Sequence, residues 1–160
     1  MNRIKNASVY VLAYSLWVVS MVFGYFVISK GRDALLSILV AATYGRYASD
    51  AEQTFYTAKQ VKAADVWSYI LLGLGLIIMI VVLEHVYRMA AQNNQVWPRF
   101  SQVTLIEFAV MGICELVIAL SAGVVKPLSA SDFLLPLVYL VAAGLFWWLW
   151  RTLRAPKMAT

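Results

Sequence analysis

The sequence predicts an all-α fold: a polytopic integral membrane protein with four transmembrane helices and a partly helical first loop outside the membrane. Of its 160 residues, 62% are hydrophobic and 13% are charged, whereas a soluble domain is about 25% charged. The mean hydropathy is +0.76. Four separate apolar stretches each approach the roughly 20 residues that an α-helix needs to cross a bilayer. We therefore expect a single membrane domain that covers residues 1–160.

The same composition excludes several other classes of protein. A chain this apolar is neither a water-soluble monomer nor a disordered tail. Its net charge of +5 lies mostly in segments that flank the apolar stretches, so we expect contacts with the lipid bilayer and no binding of nucleic acid. A disulfide scaffold is excluded because Cys114 is the only cysteine in the sequence.

The first apolar stretch, residues 8–29, follows a basic start that contains Arg3 and Lys5. A secretory signal peptide has an apolar core of about 7–15 residues and then a cleavage site with small residues. This stretch is longer and runs into Lys30 without such a site. We interpret it as an uncleaved signal anchor that forms the first transmembrane helix.

Residues 30–65 are predicted to form a long interfacial or re-entrant loop. The charged sequence from Lys30 to Asp33 is expected to interrupt a helix in lipid, and the apolar residues 34–43 are too few to span the bilayer. Residues 49–52, Ser-Asp-Ala-Glu, have the form of a capping box and predict a short helix as far as about Lys62. Two interpretations are open: an amphipathic hairpin lying on the membrane, or a docking surface or lid over a lateral cavity.

Three further apolar stretches complete the predicted membrane domain. They cover residues 66–87, 105–124 and 133–150. The connections between them are short and polar, at residues 91–101 and 126–132. Pro136 lies near the start of the last stretch, where proline is tolerated in a first turn and bends the helix further in.

With four spans, both termini lie on the same side of the membrane. Seven of the 13 basic residues then share that side, namely Arg3, Lys5, Arg88, Arg99, Arg151, Arg154 and Lys157. Six lie on the other side, namely Lys30, Arg32, Arg46, Lys59, Lys62 and Lys126. The difference is too small for the positive-inside rule to decide, but the basic start and the basic end both favour cytoplasmic termini. We expect a multi-pass protein of the cell membrane with both termini in the cytoplasm.

Ionisable side chains within a span are costly, and each one needs a physical reason. Glu107 follows Thr104 by three residues, which we interpret as a capping box at the start of the third helix. Glu84 precedes Arg88 by one helical turn, which is the favourable order for an ion pair. His85 is the only histidine. We interpret Glu84, His85, Arg88 and Glu107 as polar groups at the membrane interface.

Glu115 is not explained in this way. It lies about 16 Å along the helix from Thr104, near the middle of the predicted third span, and no basic residue is predicted at that depth. The expected hydrogen-bond partners are Tyr14, Ser15 and Ser20 on the first helix. Glu115 is then either a polar contact that holds helices or subunits together or a proton- or cation-exchanging group on a transport path.

Glycines mark the predicted spans at several positions, including Gly73, Gly75, Gly112 and Gly144. Small residues allow membrane helices to approach closely. These positions therefore predict close contacts between helices.

No cofactor or metal site is predicted. One cysteine and one histidine cannot supply the ligand sets of structural zinc or iron–sulfur clusters, and the sequence lacks phosphate-loop and hydrolase motifs. We therefore do not expect an enzyme. A 17.9 kDa chain with little mass outside the lipid is expected to act with partner subunits or as a homo-oligomer. Two functions are compatible with these features: a non-catalytic subunit or accessory component of a larger membrane complex, or a small oligomeric proton- or cation-coupled transporter that uses Glu115.

Overall fold

The computed structural model consists of four long α-helices. They are α1, Asn2–Tyr47; α2, Ala51–Gln92; α3, Val96–Ala122; and α4, Leu134–Arg154, which follows a short 3-10 helix at Ala130–Phe133. The structure describes the backbone of residues 2–47, 51–124 and 126–154, and the side chains of residues 7–43, 58–124 and 126–154. Within these ranges there is no strand. All four helices are long and apolar enough to cross a membrane, which confirms the predicted all-α, four-helix class.

The helices pack side by side in the order α2, α1, α3, α4. Helix α1 packs along both α2 and α3, and α3 packs along α4, whereas α2 meets α3 only over a short stretch. Among the described residues, α4 packs along neither α1 nor α2. The four helices therefore form an open row rather than a closed bundle, and α2 and α4 are its two edges.

Aromatic contacts around Phe108 join three of the helices. Its ring centroid lies 5.3 Å from that of Phe23 in α1, and in α4 it lies 6.0 Å from Tyr139 and 5.8 Å from Phe146, on which it stacks. Such aromatic pairs add specific geometry to apolar packing. The contacts fix α3 between α1 and α4.

The structure differs from the sequence prediction over residues 30–65. Helix α1 continues without interruption through the charged residues from Lys30 to Asp33 and ends at Tyr47, and α2 begins at Ala51. The helix continues because Lys30 and Arg32 pair with acidic side chains on α3 and α2, respectively. These two charges are therefore not left unpaired between the helices. Of the predicted capping box, residues 49 and 50 lie outside the described residues.

Helices α1 and α2 are longer than a membrane requires. At about 1.5 Å per residue, α1 is about 69 Å long and α3 about 40 Å, whereas the hydrocarbon core is about 30 Å thick. We call residues 34–47 of α1 together with residues 51–65 of α2 the two-helix extension. The extension consists of the C-terminal part of α1 and the N-terminal part of α2, which follow each other in the chain.

Helix α3 begins earlier than predicted, and this changes the position of two glutamates. Its first residue is Val96 and its N-cap is Gln95, so Pro98 lies in the first turn, where its missing N–H costs no helical hydrogen bond. The predicted capping box at Thr104 and Glu107 is therefore wrong, because both residues lie inside the helix. Glu115 lies about 10 Å from the C-terminal end of α3 rather than at its middle.

The start of the last helical segment is capped by polar groups. The backbone N–H of Ser129 donates to Oδ2 of Asp132 at 2.9 Å, and Lys126 Nζ donates to Oδ1 of Asp132 at 3.0 Å. Pro136 is buried in the first turn of α4, a position that proline tolerates. The segment therefore begins at Ala130, slightly before the predicted residue 133.

Candidate functional site

An ion pair joins α1 to α3. Lys30 Nζ lies 2.5 Å from Oε1 of Glu115, and the two side chains are 30% and 10% exposed. Along the chain, Lys30 and Glu115 are as far apart as Phe23 and Phe108, as expected for two parallel helices in constant register. The expectation that no basic residue reaches Glu115 is therefore wrong, because Lys30 belongs to the continuous helix and not to a loop.

A second charged contact joins α1 to α2 close to the first. The Arg32 guanidinium pairs with Asp65 through Nη2, donates from Nε to Ser68 Oγ at 3.0 Å, and lies 4.1 Å from the centroid of the Tyr69 ring. Arg32 also contacts Asp33 at 3.3 Å. The planar guanidinium suits such simultaneous contacts. We call Lys30–Glu115 and Arg32–Asp65 together the ion-pair layer.

The three residues predicted as partners of Glu115 have other contacts. Ser15 donates to the carbonyl oxygen of Val11 at 2.9 Å, the usual local bond of a serine inside a helix. Tyr14 is 43% exposed and makes an edge contact with Trp17. Ser20 bonds to Tyr87 instead. The structure therefore does not bring Tyr14, Ser15 and Ser20 together with Glu115.

Buried polar groups on α1, α2 and α3 lie nearer the connection between α2 and α3 than the ion-pair layer does. The hydroxyls of Ser20 and Tyr87 lie 2.7 Å apart, and these residues are 0% and 1% exposed. On α3, Thr104 is 0% and Glu107 7% exposed. Thr104 Oγ1 and Glu107 Oε2 have no hydrogen-bond partner among the described residues. We call Ser20, Tyr87, Thr104 and Glu107 the polar cluster.

A groove of about 340 Å³ opens beside Glu107, between α1, α2 and α3. It exists because α2 and α3 approach each other only over a short stretch. We call it the lateral groove, and its lining residues are Gly24, Val27, Met79, Val82, Leu83, Val86, Arg99, Gln102, Val103, Ile106, Glu107 and Val110. Its walls are apolar except for Arg99, Gln102 and Glu107.

The remaining predicted polar residues lie on the surface of α2. Glu84, His85 and Arg88 are all exposed, and in the part of the chain that the structure describes Glu84 and Arg88 form no ion pair. No group of three or more His, Cys, Asp or Glu side chains among those described could hold a metal ion. These residues therefore contribute to the surface and not to the polar cluster.

Sequence reasoning missed Lys30, Tyr87 and Arg32 as members of the buried contacts. For Lys30 a signal was available: a basic residue at the end of the first span and a carboxylate in the third, which runs parallel to it. For Tyr87 no sequence pattern indicated that its hydroxyl would face Ser20.

The fold and these contacts define a small multi-pass integral membrane protein with four helices. Comparison with family models, with curated proteins and with solved structures found no match.

Proposed function

We propose that the protein is a non-catalytic subunit or accessory component of a larger membrane complex, and that the two-helix extension contacts its partner. The observation that carries this proposal is an uncovered apolar strip on the extension. Leu35 and Ile38 are each 49% exposed and lie one helical turn apart, on the same face of α1. They lie on α1 beyond Arg32, the residue that pairs with Asp65 of α2.

The surroundings of this strip argue against a purely lipid environment. Lys59 and Lys62 are exposed on α2 in the same extension, and charged side chains favour the headgroup region or water. Neither lysine forms an ion pair within the described parts of the chain. An apolar strip on the same extension as exposed basic side chains fits a partner membrane protein whose contacting face is apolar with an acidic border.

The ion-pair layer and the open row support the same proposal. Lys30–Glu115 and Arg32–Asp65 satisfy the charges of Lys30 and Arg32 internally, which suits interhelical contacts. The exposed edges of the row, α2 and α4, leave room for lateral neighbours.

Purification of the tagged full-length chain in mild detergent tests the proposal. We expect a membrane protein to co-purify in fixed ratio, and we expect the double substitution Leu35→Ala with Ile38→Ala to reduce that ratio by about tenfold, because truncation at a contact centre costs more than about 1 kcal/mol. The matched control is Ile77→Ala with Val81→Ala, two α2 residues that are each 61% exposed. A wild-type chain that runs as a monomer without partner, or equal losses in both variants, would contradict the proposal.

A second candidate function is proton- or cation-coupled transport through Glu115, favoured by the burial of that carboxylate inside a span. Such exchange requires displacement of the Lys30 ammonium from Oε1 of Glu115. In proteoliposomes that carry a proton gradient, Glu115→Gln would then abolish cation uptake while the purified chain kept its oligomeric state. An absence of uptake by the wild-type protein would remove this candidate.

A further inference from the structure

The lateral groove combines apolar walls with an opening at the side of the helices. Two of its lining residues, Val82 on α2 and Ile106 on α3, are 54% and 55% exposed. They therefore lie at a rim that faces the lipid side of the row. A volume of about 340 Å³ is within the range of small-molecule sites, which is about 300–1,000 Å³. An occupant would enter from the bilayer and needs an apolar body.

Glu107 gives this groove a chemical requirement. The residue is 7% exposed, lines the groove, and has one carboxylate oxygen, Oε2, without a hydrogen-bond partner among the described residues. A buried carboxylate without donors is costly. A ligand that brings a donor to Oε2 would remove that cost.

The other polar groups nearby do not serve as this donor in the structure. The hydroxyls of Ser20 and Tyr87 bond to each other, and Thr104 Oγ1 makes no hydrogen bond to Glu107 among the described residues. Arg99 Nη1 donates to Gln102 Oε1 at 3.1 Å, and Arg99 lies about 12 Å along α3 from Glu107. The donor to Glu107 is therefore expected to come from the occupant.

We propose that the lateral groove binds a lipophilic amine, whose ammonium group donates to Glu107 and whose hydrocarbon chain packs between α2 and α3. An ammonium supplies both N–H donors and the charge that complements a carboxylate, and charge-assisted bonds are roughly twice as strong as neutral ones. The apolar chain replaces lipid contacts along Met79, Val82 and Val110. This site is independent of the two-helix extension and of the ion-pair layer.

Binding of radiolabelled dodecylamine to the purified full-length chain tests the proposal. We expect saturable binding, with dodecanol competing about tenfold less well because it lacks the charge. Glu107→Gln is expected to weaken dodecylamine binding by about tenfold or more. The matched control Glu84→Gln, which changes an exposed carboxylate outside the groove, is expected to leave binding unchanged.

A second pair of variants tests the groove without altering any charge. Val82→Trp places a large side chain at the rim and is expected to block binding, whereas Val81→Trp changes a neighbouring residue that is 61% exposed and does not line the groove. Equal binding by Val82→Trp and Val81→Trp would overturn the site. Equal competition by dodecanol, or unchanged binding by Glu107→Gln, would overturn the role of the carboxylate.

Discussion

At the scale of single residues, the two side chains of the Lys30–Glu115 pair differ in their exposure. The lysine side chain is 30% exposed and the glutamate side chain 10%. A long lysine side chain can move its ammonium toward water when its partner is lost, whereas the glutamate on the inner face of α3 has no such freedom. The two ends of the same ion pair are therefore expected to respond differently to substitution.

We expect Lys30→Met to destabilise the protein by about 3 kcal/mol, because it leaves a buried carboxylate without a partner. Glu115→Gln is expected to cost about 1 kcal/mol, since the amide is neutral and Lys30 can turn outward. The double variant Lys30→Met with Glu115→Gln is expected to be more stable than Lys30→Met alone, because it leaves no unpaired buried carboxylate. Unfolding by sodium dodecyl sulfate in mixed micelles, followed by tryptophan fluorescence, measures these differences.

The Lys126–Asp132 pair supplies the control for this prediction. Its lysine side chain is 56% exposed, and exposed pairs contribute little to stability. Lys126→Met is therefore expected to change stability much less than Lys30→Met. If Lys30→Met cost no more than Lys126→Met, the ion pair would not hold α1 to α3.

At the scale of helices, the glycines predicted as close-contact positions differ in their surroundings. A Cβ atom at Gly112 would lie 3.0 Å from Cγ and Cδ2 of Leu140, so α3 and α4 meet closely there. At Gly73 and Gly144 a Cβ atom would meet nothing within 4 Å. The sequence marks small residues, but which of them faces a neighbour depends on the packing order of the helices.

We expect Gly112→Leu to destabilise the α3–α4 contact by about 1–3 kcal/mol, because the added side chain forces the helices apart. Gly144→Leu lies on α4 in open space and is expected to leave stability unchanged or to increase it, since glycine is a poor helix former. The same detergent unfolding measures both variants. Equal destabilisation by the two substitutions would show that the close approach of Leu140 to Gly112 does not determine the effect.

The boundaries of helices were harder to predict than their existence. Hydropathy predicted all four spans because each apolar stretch is close to the roughly 20 residues that cross a bilayer. The predicted break at Lys30 was wrong, since a single sequence does not show that Lys30 and Arg32 meet Glu115 and Asp65. The predicted start of α3 was too late, since Pro98 lies in the first turn, where it costs no helical hydrogen bond. Charged residues end a membrane helix when unpaired and extend it when a neighbouring helix supplies the partner.

At the scale of the whole molecule, the two-helix extension makes one end of the long helices different from the opposite end. At one end Arg151 and Arg154 lie over the rings of Trp147 and Trp150, at 5.5 and 4.6 Å from the ring centroids. Aromatic and basic side chains of this kind are typical of a membrane interface. The other end carries the extension, with its exposed lysines on α2.

The sequence prediction that the termini are cytoplasmic places the extension on the outer face of the membrane, and cysteine labelling measures this directly. In a Cys114→Ala background, Lys62→Cys is expected to react with a membrane-impermeant maleimide added to intact cells, because residue 62 is exposed on the extension. Gln92→Cys, exposed at the opposite end of α2, is expected to react only after permeabilisation. The reverse pattern would place the termini outside, and the partner of the extension would then have to be sought on the cytoplasmic side.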